Sequence, residues 1–155
     1  MAELTPGDDA PQFALPADGG ATVRLTELRG KIVVLFFYPQ DNTETCTAEA
    51  IAFSKYHDAF NKAGAVVIGI SPDSLKKHAN FRKKHGLTTP LAADESREAI
   101  EAYGAWGEKT MFGRKYMGVI RSTFLIDRAG KIARVWRKVR VPGHAEEVLE
   151  SVKAL

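Results

Sequence analysis

The chain carries a single cysteine, Cys46, among 155 residues. One thiol excludes an intramolecular disulfide and fits a reducing compartment. It also excludes a Cys-x-x-Cys pair, because Thr43 stands where the first of those cysteines would be. Metal-ligand spacing is absent too. His78 and His85 fall on one helical face with no further ligand near them, so no metal and no cofactor are expected. No apolar run approaches membrane length. The stretch Met1-Ala2-Glu3-Leu4-Thr5-Pro6 lacks the basic and apolar regions of a secretory leader, which points to a cytoplasmic protein without a membrane anchor. Neither sign of charge dominates. A net charge of +3 is too small to imply a nucleic-acid partner. The most basic stretch, Arg134, Arg137, Lys138 and Arg140, alternates with Val135, Trp136, Val139 and Val141 and reads as a half-exposed strand. Repeats, low-complexity tracts and linkers are also missing. With 45% hydrophobic and 26% charged residues, the composition is that of an ordinary globule. One domain spanning 1–155 is expected, long enough to bury a core without disulfides.

What is present centres on the cysteine. Ile32 to Tyr38 is continuously apolar, β-branched and aromatic, the pattern of a strand covered on both faces. Pro39 stops it. Asp41, Asn42 and Thr43 are helix-capping residues. From Ala52 through Phe53, Tyr56, Ala59 and Phe60 to Ala63, apolar residues recur at three- and four-residue steps, which predicts one helix ending at Gly64. Cys46 then lies in its first turn. Unpaired N–H groups and the helix dipole there favour an anionic sulfur, the nucleophilic form. The competing role is that of a small buried hydrophobe. Glu44 and Glu49 oppose an anion at this place unless a cation offsets them.

Further along, Ala65–Ile70 reads as a second buried strand. Ser71-Pro72-Asp73 starts a helix, with Ser71 as its cap, that runs to His85 and Gly86. Thr88–Ala93 is extended, and a helix begins at Asp94 or Ser96 and continues through Tyr103. Four glycines make the segment from Trp106 to Met117 a mobile loop, a rim where partners dock. Trp106, Phe112, Tyr116 and Trp136 read as packing residues. Val119–Ile126 and Lys131–Trp136 form a hairpin, and Pro142–Leu155 a helix with Ala145, Val148, Leu149 and Val152 inward. Before the central strand, residues 5–30 are short extended pieces that form an N-terminal extension. This order predicts an α/β, thioredoxin-like fold: a central mixed β-sheet flanked by helices. Chemistry belongs beyond the carboxyl ends of the strands, where Cys46 falls. Arg121, placed in a covered strand, needs an anion. Glu49 and the Cys46 thiolate are the two candidates.

The spacing Pro39-x-x-x-Thr43-x-x-Cys46 resembles the active-site motif of the peroxiredoxins, the thiol peroxidases. The similarity is closest to the bacterioferritin comigratory protein, or peroxiredoxin Q, branch. It extends through Phe37-Tyr38-Pro39-Gln40-Asp41-Asn42-Thr43, Cys46-Thr47-Ala48-Glu49-Ala50, Gly69-Ile70-Ser71-Pro72-Asp73 and Tyr103-Gly104-Ala105-Trp106-Gly107-Glu108-Lys109. It continues through Gly113-Arg114-Lys115-Tyr116-Met117-Gly118 and Arg121-Ser122-Thr123-Phe124-Leu125-Ile126-Asp127. One departure is Glu44-Thr45, where the branch commonly has Pro-Gly.

The resemblance implies a peroxidase acting on hydrogen peroxide and organic hydroperoxides. Cys46 would be the nucleophile and would become a sulfenic acid. Arg121 would stabilise the developing charge, and Thr43 would hold the peroxide through its hydroxyl. Pro39 would shield the sulfur, and the backbone near Thr45 would donate to the substrate. Glu49 would orient Arg121 or bond back to the helix start. The two places where the branch puts a resolving cysteine hold Ile51 and, after His78-Ala79-Asn80-Phe81, Arg82. An external thiol is therefore expected as reductant: thioredoxin, glutaredoxin with glutathione, or another small thiol. A monomer or weak homodimer is expected. The competing functional classes are a disulfide reductase, disfavoured by Thr43, and a non-catalytic binding or peroxide-sensing protein that uses the same sulfur to signal, oxidising once, or the basic strand to bind a polyanion.

Overall fold

The computed structural model describes residues 3–155; Met1 and Ala2, the start of the terminal stretch considered above, lie outside the described residues. A short antiparallel hairpin, β1 (Ala14–Pro16) and β2 (Thr22–Arg24), leads through a 3-10 turn at Leu25–Leu28 into β3 (Ile32–Phe37). There follow α1 (Glu44–Lys55), α2 (His57–Lys62), β4 (Ala65–Ser71), α3 (Leu75–His85), β5 (Leu91–Ala93) and α4 (Glu98–Ala102). The chain finishes with β6 (Trp106–Met111), β7 (Arg114–Val119), β8 (Ser122–Ile126), β9 (Ile132–Arg137) and α5 (His144–Lys153).

Five strands form the central sheet in the order β5-β4-β3-β8-β9. β3 pairs parallel with β4 and antiparallel with β8, so it sits at the centre and every one of its residues is buried. Alternate side chains feed two cores. Val33, Leu35 and Phe37 pack under the N-terminal hairpin and α4 with Tyr103 and Phe124. Val34, Phe36 and Tyr38 pack under α1, α2, α3 and α5 with Phe53, Phe60, Phe81 and Val148. The Phe36 and Phe53 rings stack 4.6 Å apart, fixing α1 to the centre of the sheet. Each fully buried aromatic of this kind contributes roughly 2–3 kcal/mol of apolar burial. The mixed sheet with helices on both faces is the thioredoxin-like arrangement expected from the element order. Among the described residues, no helix is long and apolar enough to cross a membrane.

Several local expectations are corrected. The helix after the cysteine is two helices, α1 and α2, separated at Tyr56, whose N–H bonds to the Phe53 carbonyl three residues back. Phe53 and Phe60 keep one apolar stripe across this tight turn, so periodicity does not reveal it. The α3 cap is Ser74, whose hydroxyl accepts from the Lys77 N–H, and not Ser71. Ser71 is buried at the end of β4 and its hydroxyl donates to Asp73. α4 starts only at Glu98; Asp94 instead accepts from the Ile100 N–H at 2.8 Å.

The segment from Trp106 to Met117 is no loop. It pairs as β6 and β7 around a turn in which Phe112 (φ 52) and Gly113 (φ 78) both take left-handed backbone, the combination a two-residue hairpin turn requires. Phe112 at that tip is 99% exposed and packs against nothing. β8 begins at Ser122, because Val119 belongs to β7, where it faces Trp106. Arg121 therefore occupies the break between two strands and is only partly covered. His78, on the inner face of α3, is fully buried.

Candidate active site

The site forms where β3 ends. Pro39, half-buried, turns the chain out of the sheet, and Asn42 takes left-handed backbone (φ 63) before α1 begins. Asp41 anchors this turn from inside. Its carboxylate accepts from the Tyr38 hydroxyl at 2.7 Å and meets His78 Nδ1 at 2.7 Å. Its own N–H donates to Asp73 at 2.7 Å. The other ring nitrogen of His78 lies 3.0 Å from the Ala92 carbonyl. The turn that carries Pro39 and Thr43 is thereby tied to β3, α3 and β5 at once.

Asp41, Asp73 and His78 also bring one potential metal-ligating atom each within 4.8 Å of one another. Their donor and acceptor atoms are already engaged in hydrogen bonds to one another and to Tyr38, Ser71 and Ala92. The arrangement is that of a structural clamp, and it does not leave the donor set free for an ion.

Cys46 is the third residue of α1 and is 2% exposed. The first intrahelical hydrogen bond runs from the Thr47 N–H to the Thr43 carbonyl at 2.9 Å. The N–H groups of Thr45 and Cys46 precede that bond and have no intrahelical acceptor. Thr45 is exposed on the outer side of this turn. Thr43 holds the cap position but does not cap the helix. Its hydroxyl donates to the Gln40 carbonyl at 3.1 Å, which leaves the oxygen lone pairs able to accept.

Arg121 reaches this turn from the break between β7 and β8. Its Nη2 donates to Cys46 Sγ at 3.2 Å, and its Nη1 donates to Glu49 Oε1 at 2.6 Å. Both anionic candidates for its partner are therefore engaged at once. The side chain is 13% exposed and that of Glu49 only 1%. Burial pushes Glu49 up to about 7, against the pull of the guanidinium. Burial works against the Arg121 charge as well, but Glu49 and the sulfur outweigh it and its hold on the proton strengthens. Glu49 thus contacts Arg121 and makes no capping bond to the helix start, and its second oxygen has no partner.

The structure brings Cys46, Arg121, Glu49 and Thr43 to one end of the sheet, with Pro39 and Thr45 flanking. Asp41, Asp73 and His78 were not legible as part of this region. They lie 32 and 37 residues apart in sequence, and only the pairing of β3 with β4 joins them. Of the two places where a resolving cysteine was sought, Ile51 is 44% exposed. Arg82 is tied to Asp18 at 2.5 Å and to the Thr89 carbonyl at 2.8 Å.

A cysteine sulfur at a helix mouth beneath a thioredoxin-like sheet, bonded to an arginine from a neighbouring strand end, is the arrangement of a class of thiol enzyme. The chain belongs to the AhpC/TSA family, which matches residues 6–135. Within it the chain is a peroxiredoxin of the bacterioferritin comigratory protein, or peroxiredoxin Q, kind. It is similar to peroxiredoxin Bcp of Bacillus subtilis, with 46% identity over 95% of this chain and 94% of that protein. Among solved structures it is similar to a variant of peroxiredoxin Q from Xylella fastidiosa, at a TM-score of 0.93 and 37% identity over 99% of this chain and 98% of that one. It also matches the bacterioferritin comigratory protein of Xanthomonas campestris, studied for its alkyl peroxide reduction activity, at a TM-score of 0.87 and 39% identity over 92% of this chain and 90% of that one. Peroxiredoxin Q from that organism is known as two different cysteine-to-serine variants, so it carries more than the one cysteine found here.

Proposed function

We propose that this peroxiredoxin reduces hydrogen peroxide and organic hydroperoxides at Cys46 and is recycled by an external thiol. Thiol-dependent peroxidase activity follows from its family; the assignment of roles to residues is our reading. The observation that carries it is the guanidinium of Arg121, held by Glu49 and hydrogen-bonded to the sulfur at 3.2 Å.

The Cys46 thiolate attacks the terminal peroxide oxygen in line. The S–O bond forms as the O–O bond breaks, and the alkoxide or hydroxide leaves and takes up a proton. Negative charge spreads over both oxygens in the transition state. Arg121 lies beside the sulfur to receive it, and the free N–H groups of Thr45 and Cys46 face the same mouth. Thr43 accepts a hydrogen bond from the peroxide and so orients it. Pro39 closes the turn above the helix mouth. Glu49 positions Arg121 without touching substrate.

With one cysteine in the chain, a second thiol must come from outside. Thioredoxin, glutaredoxin with glutathione, and other small thiols all satisfy that chemistry. The chain acts as one domain, as a monomer or weak homodimer, in the cytoplasm, and needs neither cofactor nor metal. The test is peroxide consumption with dithiothreitol by the wild type and by Cys46→Ser. The variant is expected to be inert; peroxide consumption that survives the substitution overturns the reading.

A further inference from the structure

A cavity of about 480 Å³ opens beside Arg121, between the β6–β7 hairpin and the residues that follow β9. Lys109, Lys138 and Arg121 line it, with Glu108 as the one carboxylate. That carboxylate already faces Lys115 at 3.6 Å. Among the described residues, neither Lys109 nor Lys138 has a carboxylate partner. Arg121 is matched by Glu49, so the wall presents two ammonium groups, Lys109 and Lys138, with no carboxylate to balance them.

One of these cations is held by a hydrogen bond, and the backbone that carries the other is constrained. The Lys109 ammonium donates to the Val119 carbonyl at 2.9 Å, bracing it across its own hairpin. Lys138 sits in left-handed backbone (φ 52), a conformation unusual for a side chain of its kind and kept only where the surrounding structure imposes it. The next residue, Val139, bonds through its N–H to the Arg121 carbonyl at 3.0 Å. The strained segment is thus stapled directly to the residue that grips the sulfur. Burial lowers the Lys109 proton affinity and Arg121 lowers it further, while Cys46 pulls the other way, so this ammonium shares an electrostatic field with the reacting atom.

We infer that this cavity seats the charged end of the reductant, and that the reductant is a small thiol bearing a carboxylate. The inference rests on the peroxidase reading and deepens it. Cys46 is only 2% exposed, which favours a small molecule over the rigid surface of another protein. In the reductive step the thiolate of the small molecule attacks Cys46 Sγ of the sulfenic acid. An S–S bond forms, the S–O bond breaks, and hydroxide leaves and is protonated to water. A second molecule of the same thiol attacks the mixed disulfide, releasing the Cys46 thiolate and a small-molecule disulfide. Lys109 and Lys138 hold the carboxylate while Arg121 remains at the sulfur.

The test separates the two half-reactions. Cys46 is first oxidised with one equivalent of hydrogen peroxide, and sulfenic acid is verified by mass. Reduction is then timed by rapid mixing with 3-mercaptopropionate, 2-mercaptoethanol and cysteamine at matched thiolate concentrations. The anionic thiol is expected to react fastest and the cationic one slowest, with the spread shrinking as salt rises. Lys109→Gln and Lys138→Gln are each expected to shrink the anion-to-cation rate ratio by roughly threefold, the scale of one partly exposed charge pair. Lys138→Arg should preserve the ratio. Wild-type rates independent of thiol charge overturn the cavity assignment, as does a preference that survives the double Lys→Gln variant. Failure to form sulfenic acid overturns the peroxidase reading itself, and is seen before any thiol is added.

Discussion

Arg121 divides its guanidinium between a thiol sulfur and a carboxylate, with Nη2 at 3.2 Å from Cys46 Sγ and Nη1 at 2.6 Å from Glu49 Oε1. Both contacts come from one planar group, so the position of the sulfur contact is set by the carboxylate on the other side. Glu49 lies one helical turn beyond Cys46 on the same face of α1, which lets a single arginine bridge them. The acidic neighbour that should oppose an anionic sulfur is thereby converted into the group that aims the cation.

Thr43 gives the first prediction. Its hydroxyl donates to Gln40 and does not cap α1, so its free lone pairs are available to substrate. Thr43→Val should slow peroxide reduction by about 100-fold, the scale of losing one group that contacts the reacting oxygens, while costing only about 1 kcal/mol of stability. Thr43→Ser should keep most of the rate. Stopped-flow oxidation rates alongside urea unfolding check both; equal losses of rate and stability would assign Thr43 to structure alone.

The buried titratable groups give opposite pH slopes. Burial raises Glu49 from 4.5 to about 7, so between those values the folded protein keeps a proton that the unfolded chain releases. Its contribution to stability is present below pH 4.5 and is lost as pH rises through about 7. Burial lowers His144 from 6.5 to about 4, so its contribution is present above pH 6.5 and is lost as pH falls towards 4. Urea midpoints measured from pH 4 to pH 8 should show Glu49→Gln removing part of the decline on the neutral side and His144→Gln part of the decline on the acid side. Variant curves that run parallel to the wild type contradict the assignment.

His78 supports the site from behind. Both ring nitrogens are engaged and the side chain is wholly buried. His78→Phe leaves the Asp41 carboxylate without its partner and should destabilise the fold by about 3 kcal/mol, the range for removing one member of a buried polar pair. In a domain of this size that corresponds to a fall in Tm on the order of 10 °C. A variant that melts with the wild type would show that Asp41 does not depend on His78.

Much of this was legible in the chain itself. The unbroken apolar run of β3, the capping residues after it and the stripe through Phe53 and Phe60 placed Cys46 at a helix mouth beyond a central strand. Other features were hidden for identifiable reasons. The α1–α2 break leaves the seven-residue spacing of Phe53 and Phe60 intact, so no period marks it. The β6–β7 hairpin was masked by glycines, although Phe112-Gly113 supplies its turn. His78 reads as a polar residue on an exposed helix until β3–β4 pairing carries Asp41 to it. The register that sets Arg121 at a strand break is a property of the whole sheet, and no local pattern encodes it.

The most direct measurement is the rate at which reduced Cys46 is oxidised by hydrogen peroxide in the wild type, Arg121→Gln and Arg121→Lys, followed by rapid mixing and confirmed by the mass of the sulfenic acid. Losing the guanidinium should slow the reaction by 100-fold or more, roughly the loss seen when one fixed charge-stabilising donor is removed. Lysine should restore little of it, because a single ammonium cannot meet Glu49 and the sulfur together. An Arg121→Gln protein that oxidises as fast as the wild type would contradict the account.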